Sequence, residues 1–291
     1  MAKISKTEIT ETDLDDFIAT EGDFDFEMQI ANIFHDHCDE SLHGGSYDDP
    51  VTNKARQFDI RARISKAGLH VRIAAECKNL QKNFPLLISR LPRKPAEAFH
   101  EVLYTHEKAR GGPTIGGVQI ATGFDFFNFK NIKIDADNKV YPIDDFVGKS
   151  TTQVGKNGAE FVSNDSEVFE KWAQALSSTY GLLEIAKKDF EYFDKKIGLT
   201  VFFPILVIPD ETLWCVDYKP NGTKTGVPRK IDHCSIFIDK KIGGKLGPWL
   251  NISHIDIFTK NGIETHLKLL KQGRYYENLF PIDEITKKAD D

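Results

Sequence analysis

Between Arg56 and Leu80 the chain alternates apolar and polar residues almost one for one. Phe58, Ile60, Ala62 and Ile64 share one parity, as do Leu69, Val71, Ile73, Ala75 and Cys77 beyond the turn Ser65–Gly68. Successive strand side chains leave opposite faces, so this period predicts two strands, each with an apolar face and a polar one. The polar faces gather Gln57, Asp59, Arg61 and Arg63 on the first strand and His70, Arg72, Glu76 and Lys78 on the second. Upstream, Phe26, Ile30, Ile33, Phe34 and His37 recur at helical spacing, which predicts an amphipathic helix from Phe24 to Cys38, ended by the glycines of His43-Gly44-Gly45. A short strand near Ser46, a turn through Asp48–Lys54 and a strand from about Arg56 to Ile64 follow.

Residues 82–163 carry a weaker pattern: a short helix between the proline and glycine breaks of Arg90–Gly117, then a hairpin and a polar loop over Lys130–Gly158. A long helix is predicted from Ser166 to Ile197, opened by Asn164 and Glu167 in the manner of a capping box. Its buried stripe reads Phe169, Trp172, Leu176, Tyr180, Leu183 and Phe190. The continuous apolar run Leu199–Pro209 predicts a strand covered on both faces, forming a hairpin with Leu213–Tyr218. A last strand, His254–Lys260, leads into a helix near 262–272.

The order of elements predicts an α/β fold with a mixed sheet flanked by helices. It divides the chain into a polar segment, 1–23, and one domain over 24–291. The core lies at 24–80 and 164–218, with an insertion at 82–163 and a strand–helix extension at 231–275.

Composition adds limits. No apolar run approaches the ~20 residues that cross a bilayer, and the polar N-terminal stretch lacks the apolar centre of a signal peptide, so no membrane is expected as partner. The four cysteines, Cys38, Cys77, Cys215 and Cys234, are scattered without a Cys-x-x-Cys, which predicts a reduced, cytoplasmic setting. A net charge of −6 argues against a protein that coats nucleic acid, while leaving room for local basic patches.

The candidate chemistry lies on the polar side of the hairpin. Asp59 and Glu76 face each other if the strands pair across the Ser65–Gly68 turn, and Lys78 leaves the sheet on the same side as Glu76. Two adjacent carboxylates repel unless a cation joins them, and hard oxygen ligands suit Mg²⁺. A lysine beside such an ion can orient water or meet phosphate charge. The plain alternative is a solvated strand face with cross-strand ion pairs. Against it, both acids sit inside strands with apolar neighbours, where an unpaired charge is costly. Glu27 borders the apolar stripe of the first helix and is a third candidate acid. Arg61, Arg90, Arg93, Lys149 and Gln153 are candidates for phosphate contact. His35 and His37 point about 200° apart on a helix, which disfavours a zinc site with Cys38 and His43. The glycine-rich stretches at 111–117 and 240–247 lack the spacing of a phosphate-binding loop.

A helix bearing Glu27, a short strand, the Asp49-Pro50-x-Thr52-x-Lys54 turn, Arg56-Gln57-Phe58-Asp59-Ile60 and a strand ending Glu76-Cys77-Lys78 together resemble the PD-(D/E)xK nuclease superfamily. The resemblance covers residues 24–80 well and the later helix and strand more loosely; Phe58 stands where proline precedes the aspartate in the family's pattern. It implies a restriction-endonuclease-like fold with a large insertion after the third core strand. It implies an Mg²⁺-dependent endonuclease, with Mn²⁺ as substitute, acting on nucleic acid, usually DNA, in defence, repair or recombination. Asp59, Glu76, the Cys77 carbonyl and Glu27 would hold the metal, with Lys78 assisting the attacking water. Double-strand cutting would need pairing, as a homodimer or with a partner subunit, or a second cutting event. The alternative is a nucleic-acid-binding or scaffolding subunit that keeps the fold without catalysis.

Overall fold

The computed structural model describes residues 7–49, 53–66, 69–115, 118–135, 146–164, 166–192, 197–242, 250–272 and 280. Helix α1 (Glu11–Glu21) is opened by a reciprocal pair in which Thr10 and Asp13 cap each other. It leads through Gly22-Asp23 into α2 (Phe24–His37). Strands β1 (Glu40–His43), β2 (Ser46–Asp48), β3 (Ala55–Gln57), β4 (Ile60–Lys66) and β5 (Leu69–Cys77) follow. The next stretch is β6 (Leu86–Pro92), a 3₁₀ turn at Pro95–Glu97, β7 (Phe99–Ile115), β8 (Val118–Asp135), β9 (Phe146–Asn157) and β10 (Glu160–Asn164). After α3 (Ser166–Tyr192) come β11 (Ile197–Ile208), β12 (Leu213–Tyr218), β13 (Lys224–Lys230), β14 (His233–Ile242), β15 (Leu250–Thr259) and α4 (Lys260–Lys271). Among the described residues no helix is long and apolar enough to cross a membrane.

Thirteen strands form one mixed sheet, in the order β1-β4-β5-β11-β15-β14-β9-β6-β12-β13, with β7, β8 and β10 joined off this path. β4 and β5 pair antiparallel from Ile60 opposite Ala75 to Lys66 opposite Leu69. β11 runs parallel to β5, with Leu199 beside Leu69 and Val207 beside Cys77. Its other edge is shared by β7 near its start and by β15 near its end. Both edges of β11 are thus occupied and its side chains from Val201 to Ile208 are buried, as a fully apolar strand requires.

The two faces of the sheet are covered by different helices. Phe26, Ile30 and Phe34 of α2 and Ile263, Leu267 and Leu270 of α4 pack with Ile60, Ile73, Ala75, Cys77 and Val207. On the other face Leu182, Leu183 and Ala186 of α3 pack with Ala74 and Phe202, and Val168, Trp172 and Ala175 pack with Leu206 and Ile257. The hairpin's polar face therefore lies beneath α3 and is not a solvated surface.

Several local expectations are corrected. α2 ends at His37, and β1 precedes the glycines. The predicted strand from Arg56 to Ile64 divides at Phe58-Asp59: β3 pairs with β2 in a separate ribbon, and β4 joins the main sheet. The helix expected within Arg90–Gly117 is reduced to the 3₁₀ turn, because Phe99, Val102 and Tyr104 are β-favouring residues buried in β7. The hairpin expected over Lys130–Gly158 is instead β7 with β8, and 136–145 lie outside the described residues. The polar loop through Lys149 is strand β9.

The buried stripe of α3 is rotated from the predicted one. Trp172 and Leu183 are buried as expected, but the stripe runs with them through Val168, Ala175, Thr179, Leu182 and Ala186, while Phe169 is 49% exposed and the Phe190 side chain lies outside the described residues. Ala175, Ser178 and Gly181 keep this face low enough to press on the sheet, and a Cβ at Gly181 would come within 2.5 Å of Arg61 Nη2. Helix α3 ends at Tyr192, whereas Ile197 opens β11. In place of the expected capping box with Glu167, Asn164 accepts from the amide and the hydroxyl of Ser166, and Glu167 meets Lys78. The hairpin predicted between β11 and β12 is absent. β12 pairs with β6 and β13 instead, because both edges of β11 are already taken.

Candidate active site

The β4–β5 register places the first acid. With Ile60 opposite Ala75, one further step along the ladder sets Asp59 opposite Glu76. Asp59 Oδ2 accepts the Cys77 backbone amide at 2.7 Å, which ties the acid to the end of β5. Glu76 projects from β5 beneath α3 and is 0% exposed.

The cation between them comes from the helix above. Lys171 Nζ donates to Asp59 Oδ2 at 2.8 Å and to Glu76 Oε2 at 3.4 Å. Glu76 Oε1 is buried with no hydrogen-bond partner. Burial, and next the Asp59 charge, push the Glu76 carboxyl up to about 8 despite Lys171. Burial works against the Lys171 ammonium, yet Asp59 and Glu76 together hold it well above the usual lysine range.

Glu27, in the first turn of α2, feels the same group. Burial and then Asp59 raise its carboxyl, while Lys171 and His43 act in the opposite direction. His43 Nε2 lies 3.7 Å from Glu27 Oε2. Cys77 is fully buried, and burial followed by the Asp59 charge drives its thiol well above the ordinary range. Its side chain is therefore an inert thiol.

Lys78 reaches toward α3 but has other partners. Its Nζ lies 3.3 Å from Asp23 Oδ2 and 3.2 Å from Glu167 Oε2. Burial lowers the ammonium's pKa, and these two carboxylates outweigh it, leaving a net rise. Asp23 also accepts the Asn79 amide at 3.0 Å, and Asn79 Nδ2 donates to the Gly22 carbonyl at 3.1 Å. The junction of α1 and α2 is thus fastened to the residues just beyond Glu76.

The structure brings Asp59, Glu76, Cys77 and Glu27 into one electrostatic group, with Lys78 on carboxylates at its margin. Among the described residues no three His, Cys, Asp or Glu side chains form a ready metal cluster. The sequence reading did not find Lys171. Only the structure exposes it: three residues after Val168 and four before Ala175, it falls beside the buried stripe of α3, which the sequence pattern places on a different side of the helix.

The five candidates for phosphate contact have structural partners. Arg61 is buried, donating to Ser178 Oγ at 3.0 Å and the Ser178 carbonyl at 3.1 Å, with Phe58 and Tyr47 beneath its guanidinium. Arg90 is 3% exposed and meets Asp217 at 2.8 Å. Arg93 Nη1 lies 2.7 Å from His254 Nε2, and Lys149 Nζ lies 2.8 Å from Glu97 Oε1. Gln153, also buried, donates to the Phe84 carbonyl at 3.4 Å.

No protein-family model, curated protein or solved structure matches this chain.

Proposed function

We propose that the chain is a divalent-metal-dependent nuclease that hydrolyses phosphodiester bonds of nucleic acid, with DNA as the first substrate to test. The observation that carries this reading is Asp59, just ahead of β4, set beside Glu76 of β5, with the buried Glu76 Oε1 left without a partner. Two carboxylates with an orphaned oxygen are a donor set that a hard cation satisfies. The residues present therefore fit Mg²⁺, with Mn²⁺ as substitute.

Asp59, Glu76 and the Cys77 carbonyl would hold the ion, and Glu27 would support it directly or through water. When bound, the ion would neutralise phosphate charge and supply a water of lowered pKa. Asp59 is oriented by the Cys77 amide, so its carboxylate is set before any ligand arrives. Lys78 would orient the attacking water or meet the charge that develops on the phosphate. The order of elements is further support: α2 with its acid, three antiparallel strands β1, β4 and β5, then α3 and the parallel β11.

The test incubates purified protein with single- and double-stranded DNA and RNA in Mg²⁺, Mn²⁺ or EDTA. The parent should cut only with metal, and Glu76→Gln and Lys78→Met should abolish cutting while staying folded. Variants that cut as fast as the parent would overturn the assignment. A second reading, a non-catalytic nucleic-acid-binding or scaffolding subunit, is favoured by the engagement of both Lys78 and Lys171 with carboxylates. Binding without cleavage under every metal condition would select it.

A further inference from the structure

We propose that Lys171 is a tethered counter-cation that a divalent metal displaces, so that α3 gates the loading of the site. This inference rests on the metal-dependent reading above and concerns how that site is controlled.

The ammonium occupies the position that joins the two acids, 2.8 Å from Asp59 Oδ2 and 3.4 Å from Glu76 Oε2. An Mg²⁺ ion sits about 2.1 Å from each oxygen it binds, so one using these oxygens would lie close against the ammonium. Two positive charges at such separation repel strongly where water is largely excluded. Lys171 and metal are therefore competitors for one pair of carboxylates. The other nearby cations do not fill this role: Arg61 is held by Ser178, and Lys78 by Asp23 and Glu167.

The helix also provides an acceptor for the displaced group. Glu167 lies four residues before Lys171, one turn earlier on α3, the spacing and order at which a glutamate and a lysine pair along a helix. Its side chain is 54% exposed and now holds Lys78. A lysine that swings from Asp59 and Glu76 to Glu167 takes one of the two carboxylates that occupy Lys78. Metal entry would then move Lys171 off the ligands and leave Lys78 held by Asp23 alone, loosening its tie to α3. Residues 167 and 171 of α3 act together as the latch.

The experiment measures Mn²⁺ binding, by the loss of the free-ion paramagnetic resonance signal, to the parent, Lys171→Met, Lys171→Gln, Lys171→Arg and Glu76→Gln. Removing the competitor should tighten Mn²⁺ binding by on the order of tenfold in the Met and Gln variants. Lys171→Arg, which keeps the charge, should bind like the parent, and Glu76→Gln should lose binding. In the absence of metal the Met variant should melt below the parent, and Mn²⁺ should narrow that difference. The Gln variant keeps the test available if Met does not fold. Equal or weaker binding in the charge-free variants, with the parent still binding, overturns the latch alone. No Mn²⁺ bound by parent or variants overturns the metal reading and the latch together.

Discussion

The backbone amide of Cys77 donates to Asp59 Oδ2 at 2.7 Å, so a main-chain bond at the end of one strand sets the carboxylate at the start of its neighbour. The same oxygen receives Lys171 from α3, which lies 112 residues away in sequence. Through these two bonds a hairpin and a distant helix share one acid, and Glu76 is enclosed between them.

Glu76→Gln separates charge from shape. The buried Oε1 has no partner, and the carboxyl already titrates near 8, so a neutral amide of equal size leaves the metal-free protein within about 1 kcal/mol of the parent. Glu76→Ala also removes packing and lowers stability by about 2 kcal/mol or more. Urea denaturation in EDTA gives both values. A Gln variant far less stable than the Ala variant would contradict this account of the site.

Arg90 is a structural cation. Its Nε meets Asp217 Oδ1 at 2.8 Å, and Arg229 binds the other oxygen of Asp217 at the same distance. Arg90→Met leaves Asp217 with Arg229 alone, so it should lose about 1–3 kcal/mol. The double variant Arg90→Met, Asp217→Asn should recover part of that loss. Nucleic-acid affinity of folded Arg90→Met, measured below its melting temperature by fluorescence anisotropy, should equal that of the parent.

Gly262 opens α4 under the carbonyl of Asp232. A Cβ there would lie 2.1 Å from that backbone oxygen, and a main-chain atom cannot turn aside as a side chain can. The Thr259 hydroxyl that accepts the Gly262 amide also donates to Asp232, at 2.8 Å, so the neighbourhood is pinned. Gly262→Ala should therefore destabilise by about 1–3 kcal/mol despite alanine's better helix propensity. A thermal melt that rises in this variant would show that the contact is relieved at little cost.

Acid should unfold the protein in a definite window. Burial holds the His100 and His266 imidazoles down at about 4, and it lowers His254 in the same way. In the unfolded chain a histidine titrates near 6.5, so between about 6.5 and 4 the unfolded state binds more protons. The stability these groups contribute is complete above about pH 6.5 and is lost progressively as pH falls toward 4. Each such histidine adds up to about 1.4 kcal/mol per pH unit to the slope. Denaturation midpoints at pH 7.5, 5.5 and 4.5 should fall in that order, and His100→Phe should flatten the decline. A flat profile over this range would contradict neutral burial of these rings.

Local pattern made the hairpin legible. Strict alternation from Phe58 to Cys77 defines which side chains share a face, and strand pairing through a short turn leaves only one register that buries Ile60, Ile73 and Ala75 together. Opposition of Asp59 and Glu76 follows from that register. The apolar run of β11 was equally plain, since a strand covered on both faces needs no polar positions.

Long-range partners were not legible in the same way. Nothing near Leu213 indicates that β12 will lie against β6, because edge choice depends on which strands are already paired. The α3 stripe was misplaced by about one position: the large side chains Phe169 and Tyr180 suggested burial, whereas the sheet selected the small ones, Ala175 and Ser178, which allow close approach.

By itself the sequence determined the two strands, their polar parity and the facing acids, because side-chain alternation and turn length are local properties of the chain. The tertiary structure alone decided that α3 covers this polar face, that Glu76 is sealed from water and that Lys171 closes the pair. The physical reason is that burial and electrostatic coupling arise between segments separated by 95 residues or more, and no local period encodes which helix will supply the opposing charge.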